Sequence, residues 1–390
     1  MAQRLTLVLL LVLGIDIGGA IAVGQEPSAV RSASKIKPPW KPRRLLATNP
    51  IATNGKPLRS LVQIDANEHS FAIDTGASAT FLSMPGKHRK TVAGRQSLET
   101  IAFHEFCFGT MKCDWIKSAY LLDLAHIARG SGTNVTGIVG MDVLARFQVH
   151  LDFDHGVMML IDADSDEVPS GESIPISFSE AGLPYVQLKV GAHRPAMFMI
   201  DTGLISCIRV NTADFNLLSK EPAAINTGVI LKSHDVYDAI TFQEQICYPS
   251  ISLGKHEVKN VVFADAEQNL IGLPYLCRYR VTLDFKNRKS YWEPSRRFES
   301  RDNGDRCGIV YHAQSVGNWT VTSVVPGSLA AAAGITVGDE ISAVNGVAAS
   351  EDADVEWLRE LSFPLGDKSI TLDVKRGGQA LKAVLRDAPR

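Results

Sequence analysis

"FAIDTGASAT", residues 71–80, and "FMIDTGLISC", residues 198–207, decide the fold, because each carries an apolar segment into Asp-Thr-Gly. Alone, either triplet reads as turn chemistry: Asp hydrogen-bonds its own backbone and Gly tolerates positive φ. At average residue usage of roughly 5 to 7 % each, a given triplet arises by chance about once in several thousand positions. Two copies, both after an apolar run, point instead to an internal repeat.

The flanks repeat as well. "LVQIDANEHSFAIDTG" (61–76) lines up with "YVQLKVGAHRPAMFMIDTG" (185–203), with alternating Val62/Ile64 in one and Val186/Leu188/Val190 in the other. That alternation, a polar turn and a second apolar run predict a hairpin whose second strand delivers the aspartate at its tip. Downstream, "GIVGMDVLARFQVHLDFD" (137–154) matches "NLIGLPYLCRYRVTLDFK" (269–286) in its apolar-apolar-Gly step, Arg-aromatic pair and Leu-Asp-Phe. The first pair of motifs is offset by 127 residues and the second by 132, so a unit of just over a hundred residues is used twice.

A chain of 390 residues with 45% hydrophobic content is globular and has room for two or three domains. A net charge of -2 argues against nucleic acid or an anionic membrane surface as the main partner. The amino terminus, "MAQRLTLVLLLVLGIDIGGAIA", places Arg4 before an apolar stretch and ends on Ala20-Ile21-Ala22. This is the pattern of a cleaved export signal over residues 1–22, with no stable membrane insertion afterwards. An uncleaved anchor is the alternative. Residues 23–50, rich in Ser, Pro, Lys and Arg, read as a flexible basic leader, with structure beginning near Ile51. The protein is expected outside the cytoplasm, periplasmic or secreted.

Six cysteines in an exported protein permit disulfides, with 15 possible pairings. Cys107 and Cys113, flanking a short hairpin-like segment, are the first pair to consider; buried free thiols are the other possibility. No CxxC or HExxH spacing calls for a metal, and no cofactor is expected.

The doubled unit resembles the half-domain of aspartic peptidases of the retropepsin and pepsin type, over residues 51–295. The resemblance implies a mainly β, two-lobed fold, lobe 1 at 51–168 and lobe 2 at 169–298, with a cleft along a pseudo-twofold axis. By that resemblance Asp74 and Asp201 form a catalytic dyad that cleaves peptide bonds of protein or peptide substrates. Thr75 and Thr202 would brace the two loops, Gly76 and Gly203 would let backbone approach the carboxylates, and Gly140 and Gly272 would lie beneath the loops. Two carboxylates within hydrogen-bonding distance share one proton, so one can act as base on a water while the other polarises the carbonyl. The second loop departs from the pattern. Leu204-Ile205 stands where the first loop has Ala77-Ser78, and a leucine side chain cannot hydrogen-bond the aspartate. Hairpins that close over substrate are sought at residues 91–95 and 226–229.

A charged, turn-rich stretch leads through a linker at 299–305 into a third unit, 306–390. Ser328 is placed as the N-cap of a short alanine-rich helix that Gly334 ends, and Asn345-Gly346 as a hairpin turn. "VVPGSLAAAAGITVGDEISAVNG" (324–346) closely resembles a PDZ domain of the kind attached to bacterial envelope proteases. The resemblance implies a small α+β domain that receives a C-terminal peptide, its carboxylate held at a loop containing Cys307, Gly308, Ile309 and Val310 and its side chains facing a helix through Val355 and Leu361. Three functions follow for the whole chain: an exported aspartic endopeptidase with a recruiting PDZ module, a non-catalytic peptide-binding protein, or a small-molecule binder using the cleft.

Overall fold

The computed structural model describes residues 15–16, 42–51, 58–88, 90–92, 95–125, 135–206, 208–234, 240–299, 309–315, 318–324, 328–348 and 369–386. The chain is mainly β. The hairpins read from the alternating pattern are present. Arg59–Ile64 pairs antiparallel with Asn67–Ile73, and Pro184–Val190 with Ala196–Ile200. Alternate side chains of each first strand are buried, because the period of two sends Val62 and Ile64, or Val186, Leu188 and Val190, to one face.

Each hairpin seeds a larger sheet, one of eight strands and one of nine. Five strands recur in the same order. In the eight-stranded sheet they are Arg59–Ile64, Asn67–Ile73, Gly137–Val139, Phe81–Ser83 and Ser118–Leu122. In the nine-stranded sheet they are Pro184–Val190, Ala196–Ile200, Leu270–Ile271, Ile208–Asn211 and His256–Ala266. The apolar-apolar-Gly step is thus the strand that lies parallel to the one ending in Asp-Thr-Gly, with Val139 beside Ile73 and Ile271 beside Ile200.

A third sheet, of six strands, belongs to both halves of the repeat. Its order is Glu172–Pro175, Lys289–Pro294, Tyr279–Asp284, Phe147–Asp152, Val157–Asp162 and Leu45–Pro50. The two halves of the repeat therefore share one sheet. They meet where Phe147–Asp152 pairs antiparallel with Tyr279–Asp284. The central pair is His150 and Thr282, which are also equivalent by the repeat offset of 132 and joined by a 2.7 Å hydrogen bond. An axis relating the halves passes through this pair. Burial holds the His150 imidazole down to about 4, so it is neutral there across most of the pH range.

The sheet also corrects the leader. Leu45–Pro50 is an edge strand paired with Val157–Asp162, so structure starts before Ile51. Composition misleads here because Pro, Lys and Arg just upstream mask a short strand whose burial alternates. The export signal and residues 23–41 lie outside the described residues except for Ile15–Asp16, a two-residue strand beside Ile225–His234. Among the described residues no helix is long and apolar enough to cross a membrane.

Cys107 and Cys113 are free thiols. Register explains why the two do not bond. Cys107 faces Lys112 across the hairpin, whereas Cys113 follows Lys112 and turns to the opposite, buried face.

The C-terminal unit is a separate sheet in the order Ile309–Ser315, Asn318–Val324, Glu340–Val344, Ser369–Arg376 and Gln379–Arg386, with its own core around Trp319, Ile341 and Leu372. Ser328 Oγ accepts from Ala331 N at 3.3 Å and caps the helix Leu329–Ala332. Gly334 leaves that helix at φ +76°, and Asn345 and Gly346 turn the hairpin at φ 50° and 79°. These are the residues that tolerate positive φ most readily.

Candidate functional site

Both Asp-Thr-Gly loops leave their strands at one place and face each other. Asp74 N donates to Val139 O (3.1 Å) and Asp201 N to Ile271 O (2.9 Å), so each aspartate is anchored to the strand that carries the apolar-apolar-Gly step. Past the glycine the bond is returned: Met141 N reaches Ala77 O and Leu273 N reaches Leu204 O, both at 2.8 Å. Each loop is clamped on two sides. The glycines beneath are obligatory for closeness. A Cβ on Gly140 would lie 2.3 Å from Ala79 O, and one on Gly272 only 1.8 Å from Ser206 O.

The threonines lock the loops together. Thr75 N donates to Thr202 Oγ1 (3.0 Å) and Thr202 N to Thr75 Oγ1 (3.1 Å), while Thr75 Oγ1 donates to Ile200 O (2.6 Å) and Thr202 Oγ1 to Ile73 O (2.8 Å). Four buried hydrogen bonds therefore cross between the halves within one pair of side chains. Each hydroxyl uses both its donor and an acceptor lone pair.

This lock brings Asp74 and Asp201 within hydrogen-bonding reach of each other, both fully buried. Inner oxygens are satisfied symmetrically: Gly76 N donates to Asp74 Oδ1 (2.7 Å) and Gly203 N to Asp201 Oδ1 (2.9 Å). Outer oxygens, Oδ2 of each, are buried and receive no protein hydrogen bond. Gly76 also touches the opposite carboxylate, since a Cβ there would stand 2.8 Å from Asp201 Cγ. Burial pushes the Asp74 carboxyl up to about 6. Asp201 is raised well above the ordinary carboxylate range, by burial first and by the Asp74 charge second. Such a pair holds one proton between two carboxyls over a wide pH range.

Leu204 gives Asp201 a second main-chain donor on the oxygen that Gly203 already binds. Its backbone N–H reaches Asp201 Oδ1 at 3.1 Å, while its side chain is buried in the core.

Two braces escaped the sequence reading. In the first loop, Asp142 accepts from Thr80 N (2.9 Å) and Thr80 Oγ1 (2.8 Å), and Gly140 N donates to Thr80 Oγ1 (3.4 Å). In the second loop, buried Arg209 donates from Nε to Ser206 Oγ at 3.2 Å. The signal for both was the break in the repeat itself: Pro274 stands opposite Asp142, and Leu82 opposite Arg209. The two segments sought as closing hairpins are β-structure. Lys90–Val92 pairs with Arg95–Ser97, and residues 226–229 lie in Ile225–His234, which pairs with Ile240–Leu253 across an irregularity in register.

In the C-terminal unit, Ile309 and Val310 open the edge strand Ile309–Ser315; Cys307, Gly308 and the segment with Val355 and Leu361 lie outside the described residues. Among the described residues no group of three or more His, Cys, Asp or Glu side chains is placed to hold a metal ion.

Comparison with known families matches residues 320–376 to the PDZ domain. A PDZ domain therefore occupies this part of the chain, and it points to protein or peptide partners. No curated protein matches the chain.

Proposed function

We propose that the protein is an exported aspartic endopeptidase of two-lobed, retropepsin-like or pepsin-like build, with Asp74 and Asp201 as its catalytic residues and the PDZ domain as a recruiting module. The observation that carries this reading is the pair of buried, adjacent carboxyls whose inner oxygens are fixed by Gly76 and Gly203 and whose outer oxygens have no protein donor. Oxygens left without a protein donor are the ones a reacting water would bind. The ionised carboxyl takes a proton from that water as it attacks the scissile carbonyl, and the protonated carboxyl donates to the carbonyl oxygen. The resulting gem-diol collapses when a proton passes to the amine, and no covalent intermediate forms. Fixed main-chain donors supply the positioning that such chemistry needs, without reorganisation.

The strand Ile309–Ser315, which ends its sheet among the described residues, supports recruitment, because a sheet edge takes an extended peptide as an added strand. Mature protein incubated with a diverse peptide mixture from acid to neutral pH is expected to yield defined products by mass spectrometry. Asp74→Asn and Asp201→Asn should each reduce cleavage by about two to four orders of magnitude. Absence of any cleavage by the wild type, with peptide binding retained, would replace this reading with that of a non-catalytic peptide-binding protein.

A further inference from the structure

We propose that Arg209 is a positioning residue of the second catalytic loop, holding the Ser206 shoulder and supplying the buried positive charge that lets the Asp74–Asp201 pair carry its negative charge. This rests on the peptidase reading for its role in turnover, but its electrostatic part concerns the pair itself. Arg209 sits in Ile208–Asn211, the strand that follows the loop, and is 2 % exposed. Its Nε bond to Ser206 Oγ fixes a residue whose carbonyl lies against Gly272, the floor of the loop. Ser206 in turn is two residues from Leu204, whose N–H binds Asp201. A push on Arg209 therefore reaches the carboxylate through one short, buried chain of contacts.

A buried guanidinium also carries charge that water cannot screen well. The groups acting on Asp201 are Asp74, whose charge raises it, and Arg209, whose charge lowers it; Tyr185 feels the Asp201 charge from the neighbouring strand. The first loop has no cation in this position, since Leu82 stands there and its brace is the carboxyl of Asp142. Only one side of the pair thus receives a compensating charge from the strand after the loop.

The test compares the full chain with Arg209→Met, Arg209→Lys and Ser206→Ala. Two readouts are taken: the pH–rate profile for peptide cleavage, and thermal unfolding across pH against the Asp74→Asn and Asp201→Asn variants, which isolates titration of the pair without needing activity. Arg209→Met should move the acid limb of the profile and the titration seen by unfolding to higher pH together, lowering activity on that limb by about three- to tenfold. Arg209→Lys, which keeps the charge, should leave the limb and the titration close to their wild-type positions. Ser206→Ala should lower kcat while leaving the limb where it is. Equal loss of stability at every pH with an unmoved titration would overturn the proposal and leave Arg209 as packing alone. Should Arg209→Met not fold, the contrast between Arg209→Lys and Ser206→Ala decides: the proposal fails if the lysine variant shifts the limb as far as it loses rate, or if the alanine variant shifts it at all. A wild type that cleaves nothing defeats the peptidase reading, while the unfolding arm still decides the electrostatic claim.

Discussion

The two Asp-Thr-Gly loops have matching backbone hydrogen bonds and opposite surroundings. In the first, Ala77, Ser78 and Ala79 are small, and the loop is tied down by hydrogen bonds from Thr80 to the carboxyl of Asp142. In the second, Leu204 and Ile205 fill space with hydrocarbon, and the tie is the Arg209–Ser206 bond. Ile205 even packs against two apolar clusters, a large one drawn from both halves and a small one built by Ala77, Phe81, Leu122, Leu124, Val135 and Ile138 of the first half. One geometry is reached by polar fastening in one copy and mainly by packing in the other, so symmetry at the dyad does not require symmetry in what supports it.

The largest stability effect should separate the loops at once. Leu204→Ala removes a fully buried side chain and should cost about 2–5 kcal/mol by chemical denaturation. Asp142→Asn, which keeps the shape and weakens only the polar tie in the first loop, should cost less, and a reversal of that order would break the comparison. Next come the floors. Gly272→Ala forces a Cβ to 1.8 Å from Ser206 O and Gly140→Ala to 2.3 Å from Ala79 O, so both should destabilise by about 1–3 kcal/mol or more, with Gly272 the worse. Unfolding midpoints of the two variants check the ranking.

Thr75→Val and Thr202→Val should be matched, each removing a hydroxyl that donates and accepts across the halves, at a cost of about 1–3 kcal/mol. Because the two share one network, the double variant should lose less than the sum. Additive losses would mean that the lock is two independent bonds. A further effect is in pH. Folding raises the Asp74 carboxyl from 3.8 to about 6, so the folded state holds the proton more tightly. Its contribution to stability is complete below pH 3.8 and is lost as pH rises to about 6. Asp74→Asn should flatten that decline in a melting series.

Much of this was legible from the residues. Alternation at Val62/Ile64 and Val186/Leu188/Val190 gave the hairpins because one face of each strand is buried and the other wet. Ser328, Gly334 and Asn345-Gly346 were readable because caps and positive-φ turns restrict residue type locally. The shared six-stranded sheet was not, for two reasons. Val157–Ile161 is buried on both faces, so it shows no alternation, and the sheet continues from its local hairpin with Phe147–Asp152 to strands far away in sequence, Leu45–Pro50 on one side and Tyr279–Asp284 on the other. The Asp142 and Arg209 braces were missed because attention went to what the copies share, whereas each brace exists in only one. Cys107 and Cys113 were close along the chain but on opposite faces, a distinction that needs the register.

The sheet centred on His150 and Thr282 also says how the molecule can and cannot be divided. A fragment ending near residue 168 would carry Phe147–Asp152 with its inner edge bare, since the partner strand Tyr279–Asp284 belongs to the other half. A bare edge recruits another strand. The complement that best fits it is a second copy of the same fragment, turned about His150 so that Val149 meets Leu151. Severed halves are thus built to pair with themselves, and the single chain holds as one covalent unit what two identical subunits could assemble.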